Sequence, residues 1–211
     1  MLTSLEIKNN LHKNQMASNG MRKIVFDIET KNTFQDTGSN DPVSLDLSLV
    51  GIYDYETDSY QSFLEEELSK LWPIFEKADM IIGFNSDHFD IPILNKYYPG
   101  NLLQIKSLDI LNEIKKSLGR RVSLSQVAEA TLGKGKLGKG LDAIKWWKEG
   151  DIESLRKYCL EDVRITKEVY DYALLNKSLK YKENGNSMSV PLNVELWEKK
   201  EDNSMTFSLP F

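Results

Sequence analysis

The spacing of apolar residues changes several times along this chain, and each change marks an element. From Lys23 to Glu29 the side chains alternate, with Ile24, Phe26 and Ile28 on one side and Val25, Asp27 and Glu29 on the other, the period of a strand. Leu45–Tyr53 and Ser59–Phe63 read as two further strands around the polar turn Glu56-Thr57-Asp58. Leu64–Ala78 has a helical period, and Pro73 within it predicts a kink or a break. Met80–Phe84 is a short apolar run between turn residues, the pattern of a buried strand. Asp90–Tyr98 predicts a short helix stopped by Pro99-Gly100, and Gln104–Asp109 a strand, with helical segments after it. A long helix is expected from about Ile152 to Asn176. Its stripe of Leu155, Tyr158, Cys159, Val163, Thr166, Val169, Tyr170 and Ala173 follows the i, i+3, i+4 rule. Apolar positions near Leu179–Tyr181 and Val190–Trp197 flank Asn184-Gly185, which signals a hairpin.

Three strands, then helix, strand, helix, strand and further helices predict an α/β fold with a mixed sheet flanked by helices. Residues 1–20 are polar and aperiodic and read as a flexible leader, 21–178 as the folded domain, and 179–211 as a hairpin and tail. No internal repeat is visible.

Composition narrows the chemistry. The 211 residues are 40% hydrophobic and 28% charged, enough to bury a core. No apolar run reaches the ~20 residues of a bilayer span, and the first twenty residues lack a secretory pattern, so a cytoplasmic protein is expected. One cysteine, Cys159, and two histidines, His12 and His88, exclude a disulfide framework and Cys- or His-rich metal sites. A bound metal must take oxygen ligands, which favours Mg²⁺, Mn²⁺ or Ca²⁺. The net charge is −5, yet residues 115–148 hold nine Lys and Arg against only Glu129 and Asp142. That stretch is either a surface for an anionic ligand or a solvated face.

Three carboxylate positions stand out. Asp27 and Glu29 share one face of a core strand, where two acids repel unless a cation lies between them or the strand end reaches water. Asp162 falls inside the core stripe of the long helix, one turn after Tyr158, and needs a salt-bridge partner or a metal. Asp90 opens a helix with Pro92 in its first turn, so a helix cap suffices to explain it. The turn Gly83–Phe89 before it leaves a buried strand, a common place for sites in α/β sheets.

Taken in order, Phe26-Asp27-Ile28-Glu29-Thr30, Asn85-Ser86-Asp87-His88-Phe89-Asp90 and Tyr158-Cys159-Leu160-Glu161-Asp162 resemble the three motifs of the DEDD exonucleases, a superfamily with a ribonuclease H-like fold. The tyrosine places the resemblance in the DEDDy branch. The alternative branch needs a histidine five residues before the last aspartate, where this chain has Lys157. The middle motif is similar to that of the proofreading exonuclease of family-B DNA polymerases. A stand-alone bacterial group of predicted exonucleases is nearer still, sharing Ser123-Leu124, Ala128, Thr131-Leu132-Gly133 and a terminal hairpin. The resemblance covers roughly Met21 to Trp197.

It implies a metal-dependent 3′→5′ exonuclease that releases 5′-mononucleotides from nucleic-acid 3′ ends, with single-stranded DNA ahead of RNA. Asp27, Glu29, Asp90 and Asp162 would hold two divalent cations, Mg²⁺ or Mn²⁺, and Tyr158 would aim the attacking water. Ile28, Thr30, Asn85, Phe89 and Lys136 would contact the substrate. A non-catalytic nucleic-acid-binding module and a structure-specific endonuclease are the rival readings on the same fold.

Other motifs carry less. Gly133–Gly138 matches G-x-G-x-x-G but follows a helical stretch rather than a strand, and Gly140 stands where a P-loop needs Ser or Thr, so no nucleotide site is expected. A basic loop touching phosphates or a plain surface loop both fit it. Trp146 and Trp147 either stack on bases or pack in the core, and adjacent helical residues point to different sides. Asp109 is expected to cap the next helix or to support the metal site.

Overall fold

The computed structural model describes residues 20–134 and 140–199. Five strands form one sheet: β1 (Lys23–Thr30), β2 (Leu47–Asp54), β3 (Ser59–Leu64), β4 (Met80–Gly83) and β5 (Ser107–Asp109), in the order β3-β2-β1-β4-β5. β1 runs antiparallel to β2 and parallel to β4. β2 and β3 are antiparallel, β4 and β5 parallel. The helices are α1 (Phe34–Thr37), α2 (Leu68–Phe75), α3 (Asp90–Leu94), α4 (Ile110–Leu118), α5 (Leu124–Leu132), α6 (Gly140–Glu149) and α7 (Ile152–Asn176). A separate hairpin of β6 (Ser178–Glu183) and β7 (Asn186–Pro191) follows. The mixed sheet between helical layers is the expected α/β architecture.

The alternation on β1 sorts two cores. Ile24, Phe26 and Ile28 pack with Val50, Ile52 and Ile81 against Leu71, Trp72 and Phe75 of α2 and Ile91 and Leu94 of α3. Val25, Ile82 and Leu108 face the other way, against α4, α5 and Val163, Val169 and Tyr170 of α7. Leu179, Val190 and Trp197 of the hairpin region join this second core. The hairpin turn places Asn184 (φ 49) and Gly185 (φ 78) both in the left-handed region, the geometry a two-residue Asn-Gly loop supplies at little strain.

Several boundaries differ from the sequence-based expectation. The helix expected from Leu64 starts at Leu68, because Leu64 is still paired with Leu49 across the β2–β3 ladder and Glu65–Glu67 form a 3₁₀ turn. Pro73 sits inside that helix on its exposed side. The helix expected over Asp90–Tyr98 ends at Leu94, and the strand expected from Gln104 is reduced to Ser107–Asp109 by a 3₁₀ turn at Leu102–Gln104. Val190–Trp197 is strand only to Pro191; Val194–Leu196 is a 3₁₀ turn.

One close contact fixes where α7 lies. A Cβ built on Gly51 of β2 would stand 2.8 Å from Cys159 Sγ and 3.1 Å from Val163 Cγ2. Glycine at this position lets α7 settle directly onto the centre of the sheet. That seat brings the stripe containing Asp162 over the acidic end of β1.

Candidate active site

Each acid is delivered by a different local device. Asp27 and Glu29 leave β1 on the side covered by α7, and the register of β1 against β2 slips between Glu29 and Thr30, a bulge where the strand ends. Asp27 Oδ2 lies 3.9 Å from Cys159 Sγ, and oxygens of Asp27 and Glu29 and the Cys159 sulfur all fall within 4.8 Å of one another. Asp162, one helical turn beyond Cys159, is 4% exposed on the stripe that faces the sheet. Tyr158 is 3% exposed, and its ring meets that of Trp146 at 5.7 Å.

Asp90 departs from its expected role. It is the first residue of α3, and its carboxylate reaches across to β1, where Oδ1 accepts the Ile28 N–H at 3.2 Å. The acid therefore stitches α3 to the strand between Asp27 and Glu29. Burial pushes its carboxyl up to about 7; the Ile28 N–H opposes the shift and the charge of Asp109 adds to it.

Asp109 is the helix cap that was one of its two expected roles. Its Oδ1 caps α4 by accepting Leu111 N–H at 2.9 Å, and also accepts Asn85 N–H at 2.8 Å, while Oδ2 accepts Asp87 N–H at 3.2 Å. One carboxylate thus starts a helix and fixes the turn leading to Asp90. Asn85 is held there with φ 68, in the left-handed region that asparagine tolerates. Asp87 is tied to Ser107 and Asn112 on the same side.

A single cleft of about 450 Å³ is lined by Asp27, Glu29, Asp90, Tyr158 and Asp162 together with Ile28, Thr30, Asn85 and Phe89. Nine of the ten residues that the resemblance implies for metal, water and substrate therefore share one cavity. Lys136 lies outside the described residues. The cleft has further walls that sequence reasoning did not find: Asn32, Thr33 and Phe34 beyond β1, and Leu141 and Ile144 of α6. Phe34 meets Phe89 edge-on at 6.3 Å, and Leu141 is 67% exposed at the rim. The apolar spacing in α6 gave no sign of which face meets the cleft.

The weaker motifs find structural uses. Trp146 packs on Tyr158, and Trp147 lies under Lys31 Nζ at 5.0 Å, so both indoles are engaged by the protein itself. Lys134 pairs with Glu168 at 2.7 Å. His88 is an exposed turn residue.

The donor set suits a hard divalent cation. Oxygen ligands predominate, and the one sulfur nearby is kept as a thiol: burial raises its pKa well above the ordinary value, with the charges of Asp27, Glu29 and Asp162 adding to the effect. These three carboxylates and Asp90 line one cleft, a grouping of acids that a bound cation would relieve.

The RNase_H superfamily matches residues 24–174 of the chain. Among solved structures the fold is similar to that of the family B DNA polymerase from the hyperthermophilic archaeon Pyrobaculum calidifontis, with a TM-score of 0.56 and 19% identity. That likeness covers 73% of this chain and 24% of the polymerase, so the chain spans about a quarter of its length. No curated protein matches the sequence.

Proposed function

The chain belongs to the RNase H superfamily, and from that premise we propose that it is a 3′→5′ exonuclease of the tyrosine-containing DEDD type, acting on single-stranded DNA. The observation that carries this reading is the convergence of Asp27, Glu29, Asp90, Asp162 and Tyr158, from β1, α3 and α7, on one cleft.

Asp27, Glu29, Asp90 and Asp162 are the residues that would hold two divalent cations, Mg²⁺ or Mn²⁺. When bound, such ions supply the Lewis acidity that generates hydroxide from water and stabilises the leaving 3′ oxygen. The protein's own contribution is placement. Asp90, bonded to Ile28 N–H, fixes the α3 side of the site against β1. The Tyr158 hydroxyl orients the attacking water, with its ring held by Trp146. Phe89 and Asn85 contact the terminal nucleotide from the α3 side, and Ile28 and Thr30 from the strand end. Thr30 Oγ1 already donates to Asn32 O at 2.9 Å, which shapes that wall.

The deciding experiment is digestion of a 3′-labelled and a 5′-labelled single strand with Mg²⁺ or Mn²⁺, alongside a circular single strand. Stepwise loss from the 3′ end with the circle intact supports the proposal. Cleavage of the circle identifies an endonuclease, and tight binding without turnover identifies a binding module.

Two quantitative expectations follow from the geometry. Tyr158→Phe removes the hydroxyl but keeps the ring against Trp146, so kcat should fall about 10- to 100-fold. Equal rates for variant and wild type would refute the water-orienting role. Millimolar Mg²⁺ or Mn²⁺ should raise the melting temperature by roughly 5 °C, because the cations bind the assembled acids and not the unfolded chain. A flat melting temperature across a metal titration argues against a preformed site.

A further inference from the structure

The basic stretch between α4 and α5 contains two adjacent arginines with different surroundings. Arg120 is paired with Glu183 at 2.5 Å, and its guanidinium lies over the Tyr181 ring at 5.2 Å. Its charge is neutralised, and it ties the loop to the hairpin. Nearby Lys116 is likewise paired, with Glu113 at 2.5 Å. Arg121 is exposed and donates from Nη2 to the neutral amide Oδ1 of Asn85 at 2.6 Å. Among the described residues no carboxylate forms an ion pair with Arg121. Asn85 lines the acidic cleft, and its backbone is pinned by Asp109. Arg121 is therefore a positive group one hydrogen bond from the cleft wall, held there by a neutral partner that leaves its charge intact.

We propose that Arg121 binds a backbone phosphodiester of the substrate strand, on the 5′ side of the bond being cut. This rests on the exonuclease reading above. An enzyme that removes the 3′-terminal nucleotide has all remaining phosphates on the 5′ side of the scissile one, so a cation outside the acid cluster meets only those. The planar guanidinium offers several N–H donors, enough to keep the Asn85 bond and take phosphate oxygens as well. A positive charge at the rim of the cleft also attracts the polyanionic strand to that side.

The test compares wild type, Arg121→Ala, Arg121→Lys and Arg120→Ala on two substrates, a 12-nucleotide oligothymidylate and the 5′-p-nitrophenyl ester of thymidine monophosphate, which has no upstream phosphate. Arg121→Ala should raise KM for the oligomer about tenfold with kcat within twofold, and lower the slope of log KM against log salt by about 0.7. Arg121→Lys should recover only part of the loss. Arg120→Ala should match wild type on the oligomer. All four proteins should cleave the ester equally. Binding of a fluorescent oligomer to Asp162→Asn protein, read by anisotropy, should weaken about tenfold when Arg121→Ala is added. Unchanged KM and salt slope in Arg121→Ala, or an equal loss on the ester, overturns the assignment while leaving the nuclease reading intact. A wild-type protein inert on both substrates overturns the nuclease reading itself.

Discussion

Asp162→Ala is expected to abolish phosphodiester cleavage, lowering kcat by on the order of a thousandfold or more. The carboxylate is buried on the sheet-facing stripe of α7 and lines the cleft with Asp27, Glu29 and Asp90. The rise in melting temperature with added Mg²⁺ should shrink or vanish in the same variant. Loss of activity together with loss of the metal-dependent shift identifies a ligand. Activity within tenfold of wild type removes Asp162 from the centre.

Asp90→Asn should separate stability from function even more clearly. The carboxyl titrates near 7 in the folded protein and near 3.8 when unconstrained, with burial as the main cause. Because the folded pKa is the higher one, the fold prefers the protonated acid. The contribution of Asp90 to metal-free stability is therefore greatest below about pH 4 and declines as pH rises toward and through 7, by a few kcal/mol in all. Asparagine imitates the neutral form and keeps an Oδ1 for the Ile28 N–H. At pH 8 in chelator the variant should melt several degrees higher than wild type, and the gap should narrow steadily as pH falls toward 4. It should also be inactive, since an amide is a poor ligand for Mg²⁺. Paired melting curves at both pH values decide it; a variant that melts lower than wild type at pH 8 contradicts the account.

Much of this site was legible in the chain because periodicity reports direction. Two-residue alternation in β1 placed Asp27 and Glu29 on one face, and the stripe of α7 placed Asp162 and Tyr158 on another, before any contact was known. The strand and helix order sufficed for the mixed sheet. What escaped depends on tertiary packing. Asp90 looked like a helix cap because its real partner, the Ile28 N–H, is 62 positions away. Asp109 satisfied its expected helix cap, yet the bonds that matter for the site go to the backbone of Asn85 and Asp87. Leu64 was assigned to a helix because its pairing with Leu49 is invisible locally. Phe34, Leu141 and Ile144 became cleft walls only once α1 and α6 were folded over the strand end. The basic count around residue 120 marks a segment, and only contacts distinguish Arg121 from its neighbour.

The seat of α7 against Gly51 has a bearing on when the candidate site is complete. The final acid and the tyrosine arrive on the last long helix, well after the strand that carries the first two. A chain in which that helix has not yet docked, or has been released, holds Asp27 and Glu29 without Tyr158 or Asp162, so the five side chains share one cleft only in a molecule that has finished folding.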